Sequence, residues 1–273
     1  MTTPIRVGAV LYDPKVSVIW DIIGQFFEAR GVPIDVAFYE DYDRQVSAHL
    51  AGALDIAWNS PLAWLEAQRR SKDGFRAIAM RDTDRDRTSH VVVRRRDGIG
   101  RVDALRGRVV AMGAKDSPQA TLIPIEHLRT NGLSAGRDYQ VRRFDLLEGL
   151  HGDHIGGERE ALRCLQQGEA AATCMLDLNW QTWTADGTID ASELAILSTT
   201  SAFDHCVFTV ARAFSEERER AWLEALFSMS YGEPSHREMM DLEGLKAWLP
   251  GRTTGFELLS AAIANQRFFE PAR

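Results

Sequence analysis

The chain has 273 residues, of which 45% are hydrophobic and 26% charged, and its formal net charge is −7. This composition is typical of a globular protein, and the acidic balance argues against a general nucleic-acid binder, which needs basic surface for phosphate contacts. No apolar run approaches the roughly 18 residues of a membrane span. The length allows one large domain or two lobes of about 100–150 residues each.

The amino-terminal stretch MTTPIRVGAVLY lacks the basic segment and apolar core of a secretory signal peptide. We therefore expect a cytoplasmic protein if Met1 is the native start, and a periplasmic or lipid-anchored one if a signal has been removed. Cys164, Cys174 and Cys206 are odd in number and irregularly spaced, which favours free thiols in a reducing compartment over a disulfide framework.

The first part of the chain alternates predicted strands and helices, recognised from the period of their apolar residues. Strands are predicted at 5–12, 34–40 and 55–58, and helices at 17–31, 42–54 and 60–70. Ser60 as N-cap with Pro61 at the first helical position is a strong helix-start signal. The stretch RDTDRDR at 81–87 mixes both charge signs and is interpreted as a solvated loop.

The same alternation continues after this loop. Strands are predicted at 90–95, 108–112, 138–144, 170–176 and 205–214, and helices at 118–132, 157–168 and 215–230. Such alternation predicts mostly parallel sheets covered by helices. Ligands of open α/β sheets bind outside the carboxyl ends of the strands, so two such sheets predict a ligand cleft between two lobes.

The turn GAKDSPQATLIP at 113–124 is the most informative stretch of the second part. It follows a predicted strand and starts a predicted helix, whose first N–H groups and positive dipole end favour an anion. Pro118 removes one donor from this cradle, and Gln119 offers an amide that donates or accepts. Ser117 is predicted to contact a ligand, although it would serve equally as a plain N-cap.

Three stretches together resemble one known family: YDRQVSAHLAGALDIAWNSPLAWLEA, SHVVVRRRDGIGRVDALRGRVVAMG and LIPIEHLRTNGL. They are similar to the phosphonate/phosphate-type substrate-binding proteins of ABC importers, over roughly residues 5–230. The resemblance implies an α/β, type II periplasmic-binding-protein fold of two lobes joined by two crossover segments, each lobe a mostly parallel sheet flanked by helices. It places lobe I at 1–88 and 207–273 and lobe II at 89–206.

The resemblance also implies ligand contacts, which together with the strand ends give the predicted site. These residues are Tyr12, Tyr42, Asn59, Ser60, Ser117, Gln119, His154, Asp177 and Asp204. The family's hydroxyl-rich anion loop falls on 117–120, where only Ser117 keeps a hydroxyl, and a family tyrosine falls near Arg87, where this chain has none. Asp177 and Asp204 are expected to select a protonated or amino-bearing ligand, although Asp177 would also serve as a helix cap.

The segment HGDHIGGE at 151–158 carries two histidines, and the sequence leaves open which of His151 and His154 faces the cleft. Their spacing resembles a metal motif, but the cysteines lack the paired spacing of closed zinc sites, so we predict no metal. No phosphate-binding Walker loop, dinucleotide fingerprint or nucleophile elbow is present, and no cofactor is predicted.

The leading hypothesis is a non-catalytic protein that closes by hinge motion on a small anionic or zwitterionic ligand. It would act as the substrate-binding component of a transport system or as a stand-alone binder. Its expected partners are that ligand and, in a transport system, the membrane subunits of an ABC importer. An alternative is a cytoplasmic enzyme of cofactor biosynthesis, of the menaquinone or thiamine type, with His154, Asp177 and Asp204 as acid/base candidates. A sensor lobe that serves a separate regulator is a third hypothesis.

Overall fold

A computed structural model describes residues 3–72, 74–151 and 156–270. The chain divides into two compact units: unit 1 comprises Met1–Arg85 and Asp204–Gly255, and unit 2 comprises Asp86–Phe203 and Phe256–Arg273. The chain therefore leaves unit 1 after Arg85, returns at Asp204 and leaves again after Gly255.

Unit 1 is built on a sheet to which the described residues contribute six strands. They are β1 (Ile5–Val10), β2 (Ile34–Tyr39), β3 (Ile56–Asn59), β4 (Phe75–Arg81), β10 (Val207–Ala211) and β11 (Trp248–Pro250). Their order is β11-β4-β10-β3-β1-β2. Strands β1, β2 and β3 pair in parallel, whereas β10 runs antiparallel to both β3 and β4. The carboxyl ends of β1 to β4 thus lie at one edge of this sheet, together with the start of β10.

Helices cover the sheet of unit 1 and bury a core rich in aromatic side chains. They are α1 (Lys15–Glu28), α2 (Tyr42–Leu50), α3 (Pro61–Arg70), α7 (Glu216–Phe227) and α8 (Pro234–Glu243). Phe208 of β10 contacts the rings of Trp58, Trp222 and Trp248 at centroid distances of 4.5, 4.8 and 5.5 Å. The start signal read from Ser60 and Pro61 is confirmed, because the Ser60 hydroxyl accepts a hydrogen bond from Ala63 N at 3.1 Å.

Unit 2 has a second sheet, with five strands among the described residues in the order β7-β6-β8-β5-β9. They are β5 (Ser89–Arg94), β6 (Val109–Met112), β7 (Gln140–Arg143), β8 (Ala172–Leu176) and β9 (Leu194–Thr199). Strands β6, β7 and β8 pair in parallel, and β5 runs antiparallel to β8 and β9. The carboxyl ends of β6 and β8 therefore share an edge with the start of β5.

The helices of unit 2 are α4 (Ile123–Thr130), α5 (Gly156–Gln166), α6 (Asp177–Ala185) and α9 (Glu257–Gln266). The predicted helix at 118–132 begins as a π-helical turn, Pro118–Leu122, and continues as α4. Apolar residues from β5, β6 and β8 form a buried core that includes Val91, Val110, Met112 and Cys174. All three cysteines are buried, and none of them forms a disulfide. Burial raises the pKa of the Cys174 thiol.

The predicted lobe I included the whole stretch 207–273, but α9 belongs to unit 2. Its amides fix it there: Gln266 Nε2 donates to the Leu122 carbonyl at 2.8 Å, and Asn265 Nδ2 donates to Glu126 at 2.9 Å. The chain therefore passes between the units a third time, after Gly255, beyond the two crossovers expected. In the described part of the chain, no helix combines the length and apolar composition needed to cross a membrane.

Candidate ligand-binding site

The structure gathers the predicted site residues of unit 1 at the carboxyl edge of its sheet. Tyr12 follows β1, Tyr42 begins α2 after β2, and Asn59 ends β3 immediately before Ser60. Because these three strands are parallel neighbours in the sheet, their ends lie side by side. Tyr42, Asn59 and Ser60 are buried, and Tyr12 is half-buried.

Asn59 is held in a buried amide network that the sequence did not reveal. Its Oδ1 accepts a hydrogen bond from Gln45 Nε2 at 2.8 Å, and its Nδ2 donates to Thr209 Oγ1 at 2.7 Å. Gln45 Nε2 also donates to the Trp58 carbonyl at 2.8 Å. Asn59, Gln45 and Thr209 are each fully buried. The network ties α2, β3 and β10 together beneath the edge, and the predicted ligand contact of Asn59 stays a prediction.

Asp204 lies where the chain re-enters unit 1 and is paired with a guanidinium. Its Oδ2 accepts from Arg252 Nε at 2.5 Å and its Oδ1 from Arg252 Nη2 at 2.6 Å, a bidentate geometry. Its backbone N donates to the Gly255 carbonyl at 2.8 Å. A ligand ammonium would have to share this carboxylate with Arg252, so the ligand role of Asp204 stays a prediction and its anchoring role follows from these bonds.

The interpretation of residues 81–87 as a solvated loop was wrong for Arg81 and Asp84, which are both buried. Arg81 Nε and Nη2 bind the two Asp84 oxygens at 2.6 and 2.9 Å, and Nη1 reaches Glu243 Oε2 at 2.8 Å. Burial disfavours the Asp84 carboxylate, but the charge of Arg81 and hydrogen bonds from His205 and Arg81 outweigh it and lower the pKa of Asp84 well below its usual value. Because Arg81 is paired with Asp84 and Glu243, the charged side chains of Arg81 and Asp84 can be buried.

Asp84, His205 and Cys206 each offer a metal-ligating atom, and the three atoms lie within 4.8 Å of one another. His205 Nδ1 is 3.1 Å from Cys206 Sγ and 3.5 Å from Asp84 Oδ1. The bidentate pair with Arg81 already supplies a positive charge to Asp84. A cation here would therefore compete with a buried guanidinium, and we assign no metal role to the group.

In unit 2, the turn at 113–124 uses its own groups to begin the helix. Ser117 Oγ accepts from Ala120 N at 3.2 Å, and the Ser117 carbonyl accepts from the backbone N of Thr121 and Leu122 at 3.2 and 3.0 Å. Ser117 and Gln119 are almost fully buried. The N-cap interpretation of Ser117 is confirmed, and a ligand contact for this residue stays a prediction.

Gln119 binds a carboxylate that sequence reasoning missed. Its Nε2 donates to Glu158 Oε1 at 3.0 Å, and Glu158 Oε2 accepts from Leu176 N at 3.1 Å and from Asn179 Nδ2 at 2.8 Å. Glu158 is only 2% exposed. The sequence signal that could have found Glu158 is its position: it follows two glycines and lies in the first turn of the predicted helix at 157–168. The positive end of the helix dipole favours an acidic side chain there.

Asp177 follows β8 at the carboxyl edge of unit 2 and is 8% exposed. Its Oδ2 is 3.6 Å from Arg87 Nη1, and its buried Oδ1 has no hydrogen-bond partner among the described residues. The alternative of a helix cap was wrong, because Leu176 is the N-cap of α6 and no side chain caps this helix start. Burial lowers the pKa of nearby His90, and the Asp177 charge opposes that change.

His154 lies outside the described residues, so its predicted ligand contact stays a prediction. His151 is buried with a positive φ of 54°. Residues 145–151 fold onto the turn at 113–124. Asp116 Oδ2 accepts a hydrogen bond from Gly149 N at 2.7 Å, and Lys115 N donates to Asp145 Oδ1 at 2.7 Å. Burial raises the pKa of the Asp116 carboxyl.

Gly157 sets how closely α5 approaches the turn, and Gly157→Ala should destabilise the protein by about 1–3 kcal/mol. A Cβ there would stand 2.2 Å from the Phe144 carbonyl oxygen and 2.8 Å from Ala114 N, both backbone atoms. Gly24→Ala in α1 is the matched control, because its Cβ would meet nothing within 4 Å; it should stabilise by about 0.5–1 kcal/mol. Urea denaturation checks both, and equal effects of the two substitutions would contradict the close approach.

One family model covers most of the chain. The family model of ABC transporter, phosphonate, periplasmic substrate-binding proteins matches residues 19–254. A Haemophilus influenzae protein described as uncharacterized is 59% identical over 32 residues, which cover 12% of this chain and 45% of that protein. The chain thus aligns with less than half of the length of this curated relative.

Several solved structures are similar over nearly their whole length. PhnD1 from Prochlorococcus marinus in complex with methylphosphonate has a TM-score of 0.71 at 14% identity, with 96% of this chain and 98% of that chain covered. A Xanthomonas citri protein bound to ATP has a TM-score of 0.74 at 15% identity, with 99% and 100% covered. The aliphatic sulphonate binding protein SsuA from Escherichia coli has a TM-score of 0.64 at 16% identity, with 99% and 95% covered. These similarities confirm the predicted α/β, type II periplasmic-binding-protein fold.

Proposed function

Because this chain belongs to the phosphonate family of periplasmic substrate-binding proteins of ABC transporters, we propose that it binds a small anionic or zwitterionic ligand as part of a transport system. The membrane subunits of an ABC importer are the proposed partners. The family supports a periplasmic or membrane-anchored location as part of the same proposal. The alternative of a cofactor-biosynthesis enzyme is not favoured by the matching proteins.

The observation that carries the proposal is the buried, unpartnered oxygen of Asp177. A buried carboxylate oxygen without a hydrogen bond costs free energy, and Asp177 Oδ1 has no partner among the described residues. It stands at the carboxyl edge of the unit 2 sheet, the usual position of ligands in this class of fold. A ligand that donates a hydrogen bond, such as an ammonium or a protonated oxygen, would satisfy it.

The proposed ligand contacts divide between direct and supporting groups. On unit 1 we propose Tyr12, Tyr42 and Ser60 as contacts, with Asn59 and Asp204 supporting the edge through Gln45, Thr209 and Arg252. On unit 2 we propose Asp177 together with the turn at Ser117 and Gln119. The ligand cleft and the contact of His154 stay predictions from the sequence.

A thermal-shift panel tests the function. The matched probes are methylphosphonate with aminomethylphosphonate and ethanesulfonate with taurine, because the members of each pair differ by one amine. A true ligand at about 100 times its dissociation constant should stabilise the protein by roughly 2.7 kcal/mol. We expect at least one probe to do so. The proposal fails if none of these probes, nor inorganic phosphate or sulfate, raises the melting temperature beyond a sodium chloride control of equal ionic strength.

Asp177→Asn should weaken binding of the amine-bearing member of a pair by about 10–100-fold, because it removes a charge-assisted hydrogen bond of roughly 1.5–3 kcal/mol. Binding of the matched probe without the amine should stay equal or improve. Asp186→Asn is the control, since Asp186 is exposed just beyond the other end of α6. Isothermal titration gives the affinities, and equal losses for both members of a pair would contradict this role of Asp177.

A further inference from the structure

Glu158 is a buried carboxylate that accepts hydrogen bonds from amide groups on both of its oxygens. One oxygen accepts from Gln119 Nε2 at 3.0 Å, and the other accepts from Leu176 N at 3.1 Å and Asn179 Nδ2 at 2.8 Å. The donors come from three separate segments of unit 2: the π-helical turn, the end of β8 and the first turn of α6. Proteins bind an oxyanion in the same way, with N–H donors that converge on its oxygens.

The position of this carboxylate is fixed by the backbone. Gly157, the residue before it, packs so closely that an added Cβ would overlap the Phe144 carbonyl oxygen and Ala114 N. Gly113, the first residue of the turn, lies against Glu158, since a Cβ built on it would be 3.6 Å from Glu158 N and 3.7 Å from its Cγ. The start of α5 therefore delivers the Glu158 side chain into the turn at 113–124.

We infer that the Glu158 carboxylate occupies the anion position of the turn at 113–124, and that it determines the charge of the ligand group accepted there. Its carboxylate takes the hydrogen bonds that an oxyanion of the ligand would otherwise take. The group that a ligand presents to unit 2 is therefore neutral or positively charged, and a phosphonate or sulfonate group must bind elsewhere. This inference rests on the proposed function, and it specifies a ligand whose end toward unit 2 is cationic or uncharged.

The neighbouring charges support this assignment. Leu176, which donates to Glu158, directly precedes Asp177, so two buried carboxylates lie at the same strand end. The ion pair at this strand end is between Asp177 and Arg87, at 3.6 Å. An added oxyanion would meet two negative charges at low dielectric, where like-charge repulsion is strongest.

Replacement of Glu158 tests the inference with sulfate and methylphosphonate as probes. Glu158→Ala vacates the carboxylate and leaves its three donors, so the variant should bind sulfate or methylphosphonate about tenfold or more tightly than the unchanged protein. Glu158→Gln keeps the shape and removes the charge, so it should show a smaller gain of the same sign. Thermal shift and isothermal titration, against sodium chloride of equal ionic strength, measure both gains.

Glu160→Ala is the matched control, because Glu160 lies in the same helix and its partly exposed carboxylate pairs with Arg163. It should leave the affinity for both probes unchanged. The inference is overturned if the unchanged protein binds the probes as tightly as Glu158→Ala, or if both folded Glu158 variants gain nothing. If Glu158→Ala does not fold, Glu158→Gln decides alone. Tight methylphosphonate binding that is equal in the unchanged protein and in the folded Glu158 variants would overturn this inference while supporting the proposed function, so the two failures are distinguishable.

Discussion

Arg81→Ala should lower the free energy of unfolding by about 3–5 kcal/mol, the usual cost of removing one partner of a buried ion pair. Arg81 is 8% exposed and Asp84 2%, and the guanidinium contacts both Asp84 oxygens, Glu243 Oε2 and the Glu243 carbonyl. The substitution leaves the Asp84 carboxylate inside without its charged partner. Urea denaturation at pH 7 measures the loss.

Arg101→Ala is the control, since its ion pair with Asp103 is on the surface and the Arg101 side chain is 83% exposed. Surface pairs contribute about 0–1 kcal/mol, so this variant should unfold almost like the unchanged protein. A loss below about 1 kcal/mol for Arg81→Ala would contradict the burial of the pair.

Acid should weaken the stabilisation that the Arg81–Asp84 pair gives the folded state. Arg81 holds the pKa of Asp84 below its unfolded value of 3.8, so the pair stabilises the folded state above that pH and the stabilisation is lost as the pH falls. The stability difference between the unchanged protein and Arg81→Ala should therefore shrink below about pH 4.

Acidification from about pH 6.5 to 4 should cost roughly 3 kcal/mol of stability through His49 alone, at about 1.4 kcal/mol for each pKa unit. Burial lowers the pKa of His49 from 6.5 to about 4, although the Asp55 carbonyl opposes this change. The imidazole is 2% exposed and packs on Phe75 at 4.4 Å between ring centroids. The unfolded chain takes up this proton before the folded one, so stability is present above pH 6.5 and is lost on acidification.

His49→Gln should remove most of this acid sensitivity, because the amide does not titrate and can still donate toward the Asp55 carbonyl, which His49 Nε2 contacts at 3.3 Å. His236→Gln is the control: His236 is only half-buried, and its loss should leave the acid response in place. Unfolding free energies measured across pH 4–8 for the three proteins check the prediction. An unchanged slope in His49→Gln would show that another group is responsible.

The candidate site was only partly predictable from residue types. Ser60 and Ser117 were predicted as helix starts, and both hydroxyls accept a bond from the backbone three residues on. Asp177 was predicted at a strand end, and it stands there beside Arg87. Glu158 was missed because its partners Gln119 and Asn179 are 39 and 21 residues away along the chain.

The sequence by itself determined the alternation of strands and helices and the helix starts, because periodicity and capping act within about four residues. The family resemblance came from three stretches of matching residues. The elements β4, β11 and α9 were not predicted from the sequence, since packing decides the structure where the local signal is weak. Only the tertiary structure decided which polar groups are buried: Arg81 with Asp84 and Glu243, Asp204 with Arg252, and Glu158 within its three donors. A buried charge needs partners, and Glu243, Arg252 and Gln119 are distant along the chain from the charges that they contact, so these contacts depend on the whole fold.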